Sequence, residues 1–324
     1  MKRRPLFSFA ILTALGSFLF LSSPLAAERY PDRPIQLVIP NVPGSMIDIT
    51  ARLLSDELEK ILDVKVIANN KPGASMVLGT DAVVRAKKDG YTLLYGVTNA
   101  LIYSPITNPE VVPYTASKDL EPLGIHYFAP NAIAVRSDEA WKTFAELIDY
   151  AKKNPGKLRV STTGIASAPH FILETIQSMT GTQFTHVPFK GGESIVTAVL
   201  GGHVEVTCDA FAKVQPHLDS GKLRALLITN KVSAYRDIPT ITELGYKESL
   251  PTAWFGLYAP VGIPEEAKKI LVPAIEKAVN LTKPKIDQMG NLVEYRSPLE
   301  QRKLFEEDYR KIDEAAVKMG LRKP

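Results

Sequence analysis

The 324-residue chain has a single cysteine, Cys208, so no disulfide can form within it and its fold is held by apolar cores alone. Histidine is equally sparse. The five, at 126, 170, 186, 203 and 217, form no i, i+3 or i, i+4 pair and have no cysteine neighbour, which argues against a metal centre. No Walker A motif and no complete Gly-x-Gly-x-x-Gly fingerprint occurs, so the sequence implies no nucleotide cofactor. An excess of one charge is missing too. The formal charge is +4, and three of those positive charges (Lys2, Arg3, Arg4) lie in the first 27 residues, which hold no acid. A near-neutral remainder is not the footprint of a nucleic-acid binder. Beyond residue 27 no apolar run approaches the length needed to span a bilayer. What is present, 45% hydrophobic and 23% charged residues, is an ordinary globular composition, and the length favours two domains.

The first residues have a purpose of their own. Met1 to Arg4 are basic, Leu6 to Leu21 are almost wholly apolar, and Ser22, Ser23 and Pro24 break the run before Leu25-Ala-Ala27. This is the layout of a signal peptide over 1–27, with Glu28 as the new N-terminus and the periplasm as destination. The competing reading, an uncleaved anchor, lacks the length and a following basic cluster.

From there strands and helices alternate. Ile35 to Pro40 reads as a strand, the segment from Asp48 to Leu62 as an amphipathic helix carrying Leu54, Leu58 and Ile61, and Val64 to Ile67, Val77 to Lys88 and Tyr91 to Gly96 as strand, helix and strand. After residue 130 the pattern repeats. Thr143-x-x-Glu146 opens a helix to Lys153, strands are expected at 158–162, 184–187, 204–208 and 223–228, and helices at 170–179, 193–200 and 210–219. Late helices start near Pro264 and Pro298. Ile125 to Val135 and Trp254 to Ala259 are apolar, extended and suited to crossing between two α/β units. They predict a discontinuous first lobe, 28–127 plus 253–324, an inserted second lobe, 128–252, and a two-strand hinge.

Three strand-to-helix turns carry the chemistry. At Pro40 to Asp48 a Gly-containing turn would gather backbone N–H groups at the positive end of a helix dipole, a setting that binds anions. Gly164 to His170 and Pro188 to Gly192 offer similar settings in the other lobe, and the three suit a carboxylate in a cleft between lobes. A secreted hydrolase using Ser167, His170 and Asp209 is the contrasting possibility, without a Gly-x-Ser-x-Gly elbow to support it. Cys208, in Val204-Glu-Val-Thr-Cys, reads as a buried and inert thiol.

These loops resemble, in order, those of the tripartite tricarboxylate transporter substrate-binding proteins, the Bug or TctC family. Tyr30-Pro-x-Arg-Pro-Ile, Pro40-x-x-Pro-Gly-x-x-x-Asp48 with Ala51-Arg52, Asn70-Lys-Pro-Gly73 and Asp89-Gly-Tyr-Thr-Leu-Leu94 carry the first part. Gly164 with Ser167 and His170, His186-Val-Pro-Phe-Lys-Gly-Gly192, Gly221-Lys-Leu-Arg-Ala225, Pro239-Thr-x-x-Glu-x-Gly245 and Trp254-Phe-Gly-Leu-x-Ala-Pro260 carry the rest. The resemblance implies a type II periplasmic binding protein fold of two α/β lobes closing on a small carboxylate: a di- or tricarboxylate, an amino acid or an aromatic acid. It implies a binder rather than an enzyme, without a cofactor, monomeric, delivering its ligand to the permease subunits of a tripartite tricarboxylate transporter. A sensor handing its loaded state to a signalling partner is the rival role.

Carried over by position, the candidate ligand-binding residues are Gly44, Asp48, Ser167, His170, Gly191, Gly192 and Asp209, with Asn41, Ser45, Met46 and Thr163 beside them. Asp48 is also suited to capping the first helix. Asn41 stands where the family usually has an aromatic, and Ser45-Met46-Ile47 replaces Gly-x-Thr/Ser. An Asn41 side chain facing the cleft would set ligand preference; one turned away would cap local backbone groups.

Overall fold

The structure is a computed structural model describing residues 30–189 and 193–322. The expected signal segment lies outside the described residues. Ten strands and ten α-helices are assigned among them. In chain order they are β1 (Ile35–Ile39), α1 (Met46–Leu62), β2 (Val66–Asn70), α2 (Val77–Val84), β3 (Thr92–Val97), α3 (Ser104–Thr107), α4 (Ala116–Asp119), β4 (Leu120–Ala129) and β5 (Asn131–Arg136). There follow α5 (Phe144–Lys153), β6 (Arg159–Thr162), α6 (Ala168–Thr180), β7 (Thr185–Pro188), α7 (Glu193–Leu200), β8 (Val206–Ala210), α8 (Phe211–Asp219), β9 (Leu223–Ile228), β10 (Ala253–Pro260), α9 (Glu265–Gln288) and α10 (Pro298–Lys318).

Two five-stranded sheets repeat one plan. The first has the order β2-β1-β3-β10-β4 and the second β7-β6-β8-β5-β9. Three parallel strands stand at one side of each sheet, and the fourth strand, β10 or β5, runs antiparallel to its neighbours. Near-continuous apolar strands such as Ile35–Ile39 need cover on both faces, which the helices provide. Leu54 and Leu58 of α1 and Leu271, Ile275 and Val279 of α9 bury one face of the first sheet. Phe144, Leu147, Ile172 and Ile176 do the same for the second.

The chain leaves the first sheet after Ala129, enters the second at Asn131 and rejoins the first at Ala253, which pairs with Ala129. The two crossings therefore run side by side, and just beyond them the Asn131 N–H donates to Thr229 Oγ1, at the end of β9, at 3.0 Å. α6 packs on the first lobe through its buried face. Phe171 of α6 is wholly buried in a first-lobe cluster with Trp254, Phe305 and Ile312, and its ring lies 5.3 Å from that of Tyr103.

Several boundaries differ from the sequence reading. α1 begins at Met46 with Ser45 as its N-cap, so Asp48 is the third helical residue rather than the cap. The Val77 helix stops at Val84 instead of Lys88, and β2 starts at Val66, two residues later than its apolar run. Cys208 is fully buried in β8, and burial raises its thiol well above the usual range, in agreement with the inert reading.

A polar chain runs through the first core. Thr282 Oγ1 of α9 meets His126 Nε2 at 2.8 Å, His126 Nδ1 meets the Tyr95 hydroxyl at 2.7 Å, and that hydroxyl donates to Thr50 Oγ1 at 3.2 Å. Thr50 Oγ1 in turn donates to Met46 O and Ile47 O in the first turn of α1. Burial lowers His126 to about 3, so it is neutral in the fold. A depressed histidine contributes stability that is complete above the unfolded value near 6.5 and is lost as pH falls toward the folded one. Wild type is therefore expected to lose about 2 kcal/mol between pH 7.5 and pH 5 that His126→Gln does not lose. Urea denaturation of both proteins at the two pH values checks it, and parallel curves would show that His126 does not titrate on unfolding.

Candidate functional site

In both sheets the parallel strands end at the same edge, where turns join them to following helices, and in open α/β sheets ligands bind at that edge. Phe171 of α6 packs on Tyr103, which follows β3, and Ala166 and Ala168 join the same cluster, so the start of α6 lies against the segment after β3.

The first turn is braced from within by Asp48. Its carboxylate, 4% exposed, accepts from the Gly44 N–H at 2.9 Å, from Arg52 Nε at 2.9 Å and from Asn70 Nδ2 at 2.8 Å. Burial alone would raise this carboxyl, but Arg52, the Gly44 N–H and Asn70 outweigh it and hold it below the usual range. Arg52 also donates to Asn70 Oδ1 at 2.7 Å, and Asn70 Nδ2 reaches the Asn41 carbonyl at 3.0 Å. Ser45 Oγ donates to Val42 O and accepts the Asp48 N–H. Asn41 turns to the local backbone, its Oδ1 accepting the Val42 N–H at 2.8 Å. Left over are the Met46 and Ile47 N–H groups, which open α1 and have no intrahelical acceptor. Met46 thus offers its backbone, while its side chain stands 41% exposed.

Gly44 has open space around it. No heavy atom lies within 4 Å of a Cβ built there, so crowding does not demand glycine; its φ of +77° does. Gly44→Val and Gly44→Ala are both expected to cost roughly 1–2 kcal/mol or more and to weaken ligand binding, while Gly44→Asn, tolerated in this conformation, stays close to wild type. Thermal denaturation with calorimetry on the three variants tests this. A harmless valine would show that the turn relaxes.

The second turn has the same construction. Ser167 caps α6, donating from Oγ to Gly164 O at 2.7 Å and accepting the His170 N–H. His170 Nδ1 accepts the Ala166 N–H at 3.1 Å, which holds Ala166 at φ +59°, and its ring stacks on His186 at 4.0 Å. Burial, then His186, lowers His170 to about 4. His186 Nε2 lies 2.6 Å from Thr162 Oγ1. With Nδ1 accepting, the neutral ring carries its proton on Nε2, 3.7 Å from Glu174. Pro169 has no N–H, so Ala168 supplies the first free donor of this helix. The Thr163 hydroxyl is half-buried and forms no hydrogen bond with a described residue.

Ser167, His170 and Asp209 do not assemble into a triad. The Ser167 hydroxyl bonds backbone groups rather than the imidazole. Asp209, 1% exposed, accepts from the Ala210 N–H at 2.7 Å and lies 3.6 Å from Lys213, and its Oδ2 has no partner. Burial raises its carboxyl, partly offset by Lys213. Gly191 and Gly192 lie outside the described residues. No cluster of three metal-ligating side chains occurs among the described residues, and no described helix is long and apolar enough to cross a membrane.

The sequence does not assign Arg52, Asn70 and His186 to these networks. The spacing Asp48-x-x-x-Arg52 places both on one helix face and was the available signal for the first of them; nothing local announces that Asn70 and His186 close the two networks.

Two α/β lobes, each presenting a serine-capped helix start after one of its parallel strands, define a periplasmic binding protein fold. Residues 50–304 match the model of the tripartite tricarboxylate transporter family receptor, and the chain belongs to that family. It is 32% identical over 257 residues to protein BugT of Bordetella pertussis, covering 78% of this chain and 79% of that one. Among solved structures, a TctC solute-binding protein from Polaromonas superposes with a TM-score of 0.81 at 28% identity, covering 89% of this chain and 99% of that one. An R. palustris protein solved with adipate gives 0.70 at 26% identity, with 90% and 98% covered. MatC from Rhodopseudomonas palustris, with bound malate, gives 0.68 at 26% identity, with 88% and 99% covered.

Proposed function

We propose that this protein is a monomeric periplasmic receptor that captures a small carboxylate between its lobes and delivers it to the membrane permease of a tripartite tricarboxylate transporter. One observation carries the reading: the polar side chains of the two opposed turns are largely spent on holding the turns, and the N–H groups at the starts of α1 and α6 are left free. Preorganised N–H groups at a helix start bind a carboxylate without charged partners. Adipate and malate in two similar structures agree with that chemistry. The site binds without turning its ligand over, and residues 1–27 are removed on export, leaving Glu28 first.

Calorimetry of the secreted protein against di- and tricarboxylates, amino acids and aromatic acids is expected to give one-to-one binding with at least one of them and no product. Turnover, or binding to none, overturns the reading. Intact mass of the same material is expected to match a chain starting at Glu28.

A further inference from the structure

The Ile47 N–H and the Met46 carbonyl are the two ends of one peptide group in the first turn of α1. The N–H has no acceptor inside the helix, and the carbonyl accepts the Thr50 hydroxyl at 2.9 Å. Thr50 is wholly buried, and two tyrosine hydroxyls meet at its oxygen, Tyr95 of β3 at 3.2 Å and Tyr127 of β4 at 3.3 Å. Tyr127 Oη has no other hydrogen-bond partner among the described residues. Its ring stacks at 4.4 Å on Phe255, its cross-strand partner on β10, and Phe255 stacks in turn on Tyr95 at 6.4 Å. Tyr127 lies two residues before Ala129, where the chain leaves the first sheet, and Phe255 two residues after Ala253, where the chain rejoins it.

Packing does not account for these hydroxyls. A phenylalanine ring in place of Tyr127 would keep the stack, and hydroxyls buried this deeply are costly unless each has a partner. From this geometry we propose that Thr50 and Tyr127 are positioning residues for ligand capture, which hold the Met46–Ile47 peptide in place from the strands that join the two lobes. The proposal rests on the receptor reading above, in which the free N–H groups of α1 meet the ligand. An anion on the Ile47 N–H polarises the peptide, makes its carbonyl a better acceptor for Thr50, and through the Thr50 oxygen strengthens the bonds to the tyrosines. Without the Thr50 hydroxyl the peptide is free to tilt, and the N–H loses its preset aim.

Calorimetry of the mature protein with succinate, adipate, malate, citrate, glutamate and benzoate selects the tightest binder of the six as the probe. Thr50→Val is expected to weaken its binding about tenfold, and Thr50→Ser, which keeps the hydroxyl, less than about twofold. Tyr127→Phe is expected to weaken it about threefold, and the double variant Thr50→Val/Tyr127→Phe to match Thr50→Val alone, because Tyr127 acts through Thr50. In NMR spectra the Ile47 amide proton is expected to move downfield when the probe saturates wild type or Thr50→Ser, and to move far less in Thr50→Val, a signature that a loss of stability alone does not give. Unchanged affinity in Thr50→Val, an equal loss in Thr50→Ser, or additive losses in the double variant overturns the proposal and leaves the receptor reading standing. Should Thr50→Val not fold, unchanged affinity in Tyr127→Phe overturns it equally. Binding of none of the six by wild type overturns both.

Discussion

Asp48→Ala is expected to lower stability by about 3 kcal/mol and ligand affinity by at least tenfold. The carboxylate joins the turn backbone at Gly44 to α1 through Arg52 and to β2 through Asn70. Removing it strands the Gly44 N–H, leaves Asn70 Nδ2 with the Asn41 carbonyl alone and leaves Arg52 held only by Asn70 Oδ1. A fully buried pair broken in this way costs about 3–5 kcal/mol, and the half-exposed Arg52 places this one at the lower end. Affinity follows because the Met46 and Ile47 donors bind only while the turn holds them at one spot. Asp48→Asn, which keeps an acceptor for Gly44 but sets an amide beside Arg52, is expected to fall between alanine and wild type. A depressed carboxyl contributes stability that is present above its unfolded value near 4 and is lost as pH falls further, so the alanine and wild-type proteins converge in strong acid. Denaturant melts and calorimetry measure both quantities. An alanine variant within 0.5 kcal/mol and twofold of wild type would show that the turn stands without Asp48.

Trp254→Ala has a larger expected effect, about 5 kcal/mol, enough to unfold much of the protein at room temperature. Trp254 begins the return strand, is wholly buried among Phe171, Tyr103 and Phe305, and donates from Nε1 to Asp308 Oδ2 at 2.8 Å. Alanine leaves a cavity where the lobes meet and deprives a buried carboxylate of its donor; Trp254→Phe keeps most of the volume and isolates the second loss. Burial raises Asp308 to about 6, offset by Trp254 and Lys311 and reinforced by Glu307. A carboxyl raised in the fold contributes stability that is present below its unfolded value and is lost as pH rises through the folded one. Asp308→Asn keeps an acceptor for Trp254 and has no charge to bury. Relative to wild type it is expected to gain about 1.4 kcal/mol between pH 5 and pH 8. Denaturation at the two pH values measures the gap, and a gap of constant size would mean that Asp308 titrates alike folded and unfolded.

The capping boxes at Thr143/Glu146 and Ser297/Glu300 form as their residues imply, because every participating atom lies within one helical turn. The same locality explains the small errors. α1 starts at Met46 because Ser45 supplies the capping oxygen, and Asp48 is free to reach sideways to Asn70, 22 residues away in the chain. The π-helical stretch Asn99–Tyr103 and the short α3 and α4 carry no clear period, so no pattern in the sequence announces them.

Sequence alone determined the alternation of strands and helices, the family and the positions of the turns, since periodicity, capping and motif order are properties of neighbours along the chain. Tertiary structure decided which groups at those turns are free. Whether Asn41, Ser45, Asp48, Ser167 or His170 presents its polar atoms to a ligand or spends them on the backbone depends on partners brought together by the sheets: Asn70 beside Asp48, His186 against His170, Thr50 under the first turn of α1. A hydrogen-bonding group satisfied inside the fold has little left to offer a ligand, and that accounting can be made only where all its neighbours are in place.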